Sequence, residues 1–175
     1  VVTLFACCGM RVRLSGMSTN RLFDKGVRTI VADNICYPAK LMHGHVMDLI
    51  EKQVDRIFYP WVVFERKEDE QSKNSFNCPV VSGYSDVIKS AINPEKNYGI
   101  PLDAPTISFK DEELLRASLV EYLATLNISE PTAQAAITQA ITAQQNYLDA
   151  LEKRNMQVFN EARAAGRMVI LLAAR

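Results

Sequence analysis

The sequence predicts an α/β fold, a parallel Rossmann-like sheet with flanking helices and a helical insertion in its C-terminal half. Three observations carry this expectation. Short apolar runs alternate with amphipathic helical stretches between residues 11 and 92, the rhythm of βαβ units. The run Arg56–Phe64 is apolar on both faces, as in a parallel sheet covered by helices. From Glu112 to about Ala165 the periodicity becomes purely helical.

In chain order, residues Val1 to Cys8 read as a helix tail stopped by Gly9. Arg11–Ser15 alternates with period two and reads as a strand. Ser18-Thr19-Asn20 offers N-cap chemistry for a short helix running to Lys25 and closed by Gly26. Arg28–Val31 reads as a second strand. Pro38, suited to a first turn, opens a helix through about Gln53 with Leu41, Val46, Leu49 and Ile50 inside. Arg56–Phe64 is the third strand, and the charged stretch Glu65–Asn74 reads as a mobile loop. Val80-Val81 suggests a fourth short strand, followed by a helix over Tyr84–Ile92.

Asn93–Asp111 carries Pro94, Pro101 and Pro105 and reads as an extended connector. Leu114, Leu115, Leu119, Tyr122, Leu123 and Leu126 then give one face of a helix. Ser129-Glu130-Pro131 starts a long Ala- and Gln-rich helix to about Ala165, ended by Gly166. Its apolar stripe, including Tyr147, Leu151 and Phe159, calls for a cover, either the Leu114–Leu126 helix or a second copy of the chain. Met168–Ala173 has the pattern of a buried strand. The expected organisation is therefore an α/β lobe over 1–92, a connector and helical segment over 93–165, and a strand over 166–175 that rejoins or opens an α/β lobe. The apolar opening and close suggest a piece of a longer protein.

Composition narrows the function classes. The 175 residues are 48% hydrophobic, enough for an ordinary core. Lys+Arg and Asp+Glu balance at 20 each, which speaks against a nucleic-acid binder. No apolar run reaches the roughly 18 residues of a membrane span. Without a recognisable signal peptide the expected compartment is the cytoplasm, where the four cysteines are free, metal-bound or catalytic. There is no P-loop pattern, no G-x-G-x-x-G and no nucleophile–base pair, so an independent CoA-thioester enzyme ranks last.

Two cysteines stand out. Asn34-Ile35-Cys36-Tyr37-Pro38 and Asn77-Cys78-Pro79-Val80 each place a thiol ahead of a proline that opens a helix. The positive end of a helix dipole suits the thiolate form, which ligates metals and acts as nucleophile. In open parallel sheets, sites gather beyond the carboxyl ends of strands, where both cysteines are expected. The residues alone leave two readings open: a shared site, or small buried hydrophobes. His43 and His45, two apart on a helix, point about 200° away from each other and cannot share one ligand. Cys7 and Cys8 read as packing residues. Ser82-Gly83-Tyr84-Ser85 reads as a turn into a helix whose free N–H groups could hold an anion, with ordinary capping by Ser85 the preferred reading.

The motifs Ala32–His45, Ile57-Phe58-Tyr59-Pro60 and Asn77–Tyr84 resemble the CoA-substrate-specific enzyme activase family. Its members are similar to activators of 2-hydroxyglutaryl-CoA dehydratase and to the dehydratase D component. The large members join actin-like ATPase domains to a D-component-like region, whose beginning this chain resembles. The resemblance implies a non-ATPase domain of an activator of 2-hydroxyacyl-CoA dehydratase, acting in anaerobic iron–sulfur electron transfer or in docking. It implies Cys36 and Cys78 as candidate ligands of a [4Fe–4S] cluster, with Lys40 and His43 behind them, and a dehydratase or other domains of a parent chain as partner. It places ATP in domains outside this chain. The family tends to carry a cysteine directly after the third-strand Tyr-Pro, and here that residue is Trp61. An indole cannot ligate iron, so a complete cluster in this chain is doubtful. The alternative expectation is a cluster-free interaction domain with structural cysteines.

Overall fold

The computed structural model describes residues 1–67 and 71–170. Helices open where capping chemistry permits. Thr19 Oγ1 accepts from Leu22 N at 3.2 Å to start α2 (Asn20–Gly26), which follows α1 (Val2–Cys7). Asp111 Oδ1 accepts from Leu114 N at 2.9 Å to start α7 (Glu112–Thr125). Asn93, in the left-handed region at φ 48°, caps the short α6 (Pro94–Tyr98). The other helices are α3 (Tyr37–Glu51), α4 (Pro79–Ser82), α5 (Tyr84–Ala91) and α8 (Glu130–Ala164).

The third expected strand is real but broken. It forms β1 (Ile57–Phe58) and β2 (Trp61–Phe64), separated at Tyr59-Pro60. Its partners come from the segment expected as a connector. There β3 (Leu102–Asp103) pairs parallel with β1, and β4 (Thr106–Ser108) pairs parallel with β2. The prolines of this segment do not obstruct the pairing because they contribute carbonyls. Pro101 O accepts from Ile57 N and Pro105 O from Trp61 N, each at 2.9 Å.

Alternation along the strands separates two cores. Ile57 and Leu102 are buried with α3 and α5, together with Val46, Ile88 and Ile92. Phe58 and Ile107 face the other way, into a core of Phe5, Leu119, Leu123 and Ile137 from α1, α7 and α8. Helices thus lie on both sides of the parallel pairs. Helix and strand are mixed as an α/β reading requires, while the sheets seen among the described residues are two-stranded.

Three expected strands are corrected. Arg11–Ser15 alternates in sequence but finds no ladder partner and is irregular. Over Arg28–Val31 the chain instead makes a 3₁₀ turn, Val27–Thr29, because Thr29 Oγ1 donates back to Gly26 O at 2.8 Å and tightens the exit of α2. Val80-Val81 lies in α4, where Pro79 starts a helical turn closed by Ser82 N to Cys78 O at 3.0 Å. Residues 68–70 of the expected loop and 171–175 of the last expected strand lie outside the described residues. Met168–Ile170 has no regular structure.

Helices α2 and α3 meet at glycines. A Cβ on Gly26 would overlap the backbone of His43 and Gly44, and one on Gly44 would overlap Leu22 O. Beside this contact Asp48, buried on α3, binds Lys25 Nζ and Lys52 Nζ at 2.6 Å and Gly16 N at 2.8 Å. Hydrogen bonds from the two lysines hold its carboxyl far below the ordinary carboxylate range. These contacts seat α3, and with it the loop that carries Cys36.

Candidate functional site

Cys36 and Cys78 are built alike. Each is an N-cap residue in extended conformation, at φ −64°, ψ 152° for Cys36 and φ −68°, ψ 159° for Cys78. Proline in the first turn explains much of this. It removes one N–H that a cap would have to satisfy, and Pro79 directly disfavours the helical region for Cys78. Neither thiol makes a capping hydrogen bond, and both residues are exposed. They are therefore not buried packing residues. Cys7 and Cys8, by contrast, are half-buried against the α1–α7–α8 core, and Cys7 Sγ donates to Gln139 Oε1 at 3.0 Å. Burial, with a smaller effect of Cys7, pushes the Cys8 thiol up.

Neither exposed cysteine follows a strand as expected. Cys36 follows the 3₁₀ turn and an irregular loop. Cys78 follows the antiparallel bridge between Phe64 and Phe76, where Asn77 N donates to Val63 O at 3.0 Å. Two tyrosines are linked to them electrostatically. Tyr59, at the break between β1 and β2, is pushed up to about 12 by burial, then by the charges of Tyr84 and Cys78. Tyr84, at the start of α5, is raised by burial and then by Cys36. The through-space couplings therefore run from Cys36 to Tyr84, from Tyr84 to Tyr59, and from Tyr59 to Cys78. Sequence reasoning had both tyrosines inside its motifs and gave neither a role.

His43, the hydrogen-bond partner of Tyr84, is fully buried. Thr29 spends its hydroxyl proton on Gly26 O, so its oxygen accepts from His43 Nδ1 at 2.8 Å. That leaves Nε2 as the acceptor for the Tyr84 hydroxyl at 3.0 Å. The ring is thus the neutral Nδ1–H tautomer, and burial lowers its pKa below the ordinary value. With both nitrogens engaged, His43 offers no lone pair to a metal. His45 is held separately between Ser15 Oγ and Ser18 Oγ at 2.8 and 3.0 Å.

Lys40 sits one turn after Cys36 and donates to Asp33 O at 2.7 Å, tying down the loop ahead of the cysteine. Tyr37 stacks on Phe23 with ring centroids 5.5 Å apart and fastens the same corner to α2. Ser85, expected as a cap, makes none. Its hydroxyl is buried without a hydrogen-bond partner, and Gly83 takes the cap position. Trp61 opens β2, against which α4 packs.

A four-iron cluster ordinarily takes four thiolates. Among the described residues no three Cys, His, Asp or Glu side chains come together to hold a metal ion. Two exposed thiols and an occupied imidazole do not make up the donor set, so the described residues do not fit a whole cluster. No helix among the described residues is long and apolar enough to cross a membrane.

No curated protein and no solved structure matches the chain. The family described as the CoA enzyme activase uncharacterised domain matches it from residue 1 to residue 175. Its three motifs, two of them containing an exposed N-cap cysteine ahead of a first-turn proline, are thus parts of one family domain, and the chain belongs to the CoA enzyme activase domain family.

Proposed function

We propose that this chain is a non-ATPase domain of an activator of 2-hydroxyacyl-CoA dehydratase, and that it docks a redox partner through its cysteine face. The observation that carries the reading is the repeated cap, in which Cys36 and Cys78 present exposed thiols from matching backbone geometry. Buried Tyr84 and half-buried Tyr59, whose hydroxyls feel the charges of Cys36 and Cys78, support one common face. Membership of the CoA enzyme activase family supports the activator role.

On this reading the two thiols supply at most half of a soft-metal site, and a dehydratase or another domain of a longer chain supplies the rest. A Rossmann-like sheet would be completed in the same longer chain, and a cytoplasmic, oxygen-poor setting follows from the chemistry. Lys40 and His43 serve by position: Lys40 fixes the loop before Cys36, and His43 fixes Tyr84.

The test is Cys36→Ser and Cys78→Ser in the protein that carries this domain, assayed anaerobically for activation of its dehydratase. Each is expected to lower activation at least about tenfold, in line with the loss of a metal-site contact, with ATP hydrolysis unchanged. Undiminished activation in the double variant would leave the cluster-free interaction domain as the better description.

A further inference from the structure

The root of α8 is buried, with Ala133, Ala136 and Ile137 packed against α1 and α7. Beyond it the helix stands free. From Gln144 to Ala164 every residue except Ala162 is exposed, including Leu148, Leu151 and Val158 at 42%, 43% and 47%. The Leu114–Leu126 helix therefore covers only the root. Along the free arm Leu148, Leu151, Asn155, Val158, Ala162 and Ala165 recur at alternating steps of three and four, continuing the line of Ile137 and Ile141. This is the seam of a two-stranded coil, and one polar Asn at such a position is a known register device. Apolar stripes of this kind rarely stay open on a soluble protein.

The geometry points to a second copy of this chain as the occupant, its α8 arm lying antiparallel across the seam. At the root the seam is already filled by the chain's own α1 and α7, so a parallel copy would bring two globular ends onto one stretch. An antiparallel copy puts them at opposite ends. Side-chain size and charge then select one register. Leu148 meets the partner's Ala165, Leu151 meets the partner's Ala162, and Asn155 meets the partner's Val158, so leucines face alanines in two layers. In the same register Arg154 flanks the partner's Glu161, and the twofold axis repeats the pair. Sliding by one heptad sets Arg154 against Arg154 in one direction and Glu161 against Glu161 in the other. An in-register parallel pair places Arg154 beside Phe159 and gains no opposite charge. Within its own chain Arg154 has no ion pair among the described residues, and Glu161 only accepts from Gln157 Nε2 at 2.7 Å.

The experiment is sedimentation equilibrium of the whole chain in reductant, for which the expected species is twice 19.6 kDa. Arg154→Glu places Glu against Glu161 at both symmetry-related contacts and should raise the dimer dissociation constant about tenfold or more. Glu161→Arg should do the same, and the double charge reversal should restore wild-type association. All four proteins should share one far-ultraviolet dichroism spectrum, because both positions are exposed. A chain that stays monomeric at high concentration overturns the inference. So does a dimer indifferent to the single reversals, or one that the double reversal fails to rescue.

Discussion

The Tyr84 hydroxyl donates to His43 Nε2 across 3.0 Å, and the far nitrogen of that ring donates to Thr29 at 2.8 Å. A chain of three side chains thereby joins α5 to α3 and to the turn after α2. Its outer end is the tyrosine that responds to Cys36.

Removing the outer hydroxyl leaves the buried Nε2 without a partner while Phe keeps the ring's volume. Tyr84→Phe should therefore destabilise the fold by about 1–3 kcal/mol in urea titration. An unchanged unfolding midpoint would mean the hydrogen bond contributes nothing.

The same ring sets a pH dependence. Burial lowers the folded pKa of His43 below its ordinary 6.5, so the unfolded chain binds the proton more tightly. Well above 6.5, where both states carry a neutral ring, His43 adds no pH slope. As pH falls from there toward the folded pKa, stability is progressively lost. His45 is also lowered, by burial against an opposing effect of Asp48, and adds to the slope. Urea midpoints between pH 5 and 8 should show the decline, and His43→Gln should make it shallower. An identical slope in that variant would remove His43 as a cause.

Gly26→Ala should be among the costlier single substitutions in the chain. Its new methyl would meet backbone atoms of His43 and Gly44, which can yield only if α2 and α3 separate. A loss of about 3 kcal/mol or more is expected, at the upper end for overpacking. A loss below about 1 kcal/mol would show that the helices part easily.

Thiol labelling should divide the cysteines by exposure. Under mild alkylation, mass spectrometry should find Cys36 and Cys78 modified well before Cys7 and Cys8, which are half-buried. Equal rates at all four would contradict the exposed caps on which the proposed docking face rests.

Trp61→Cys would add a thiol at the head of β2, beside the helix that Cys78 caps. Anaerobic reconstitution of that variant should take up more iron than the unmodified chain. Stoichiometric iron and sulfide in the unmodified chain would show that two cysteines and other groups suffice.

The helices were legible because their signals are local. Thr19, Pro38 and Pro131 announce starts that the structure keeps to within a residue or two, whereas the short helices begun by Pro79 and Pro94 read in the sequence as a strand and a connector. The strands were not, because pairing is decided by partners far along the chain. Arg11–Ser15 has a strand's alternation but no partner, while the proline-rich stretch after Asn93 hides two strands because it lends carbonyls to β1 and β2. The candidate site shows the same divide. Cys36 and Cys78 could be singled out from their Pro context, whereas Tyr59 and Tyr84 acquire a relation to them only through folding. The engagement of both His43 nitrogens depends on Thr29, and nothing in the spacing of the two residues signals it.

The free part of α8 also sets a length. Between Gln144 and Ala164 it contains neither glycine nor proline, so it has no built-in hinge. At 1.5 Å per residue it reaches about 30 Å beyond the buried root. A molecule gripped at the tip would be held at that fixed offset from the cysteine-bearing body, and a pull there would pass undamped into α1 and α7. The arm is then a spacer with a defined reach, and it would make the chain tumble and sediment as an elongated particle rather than a sphere of its mass.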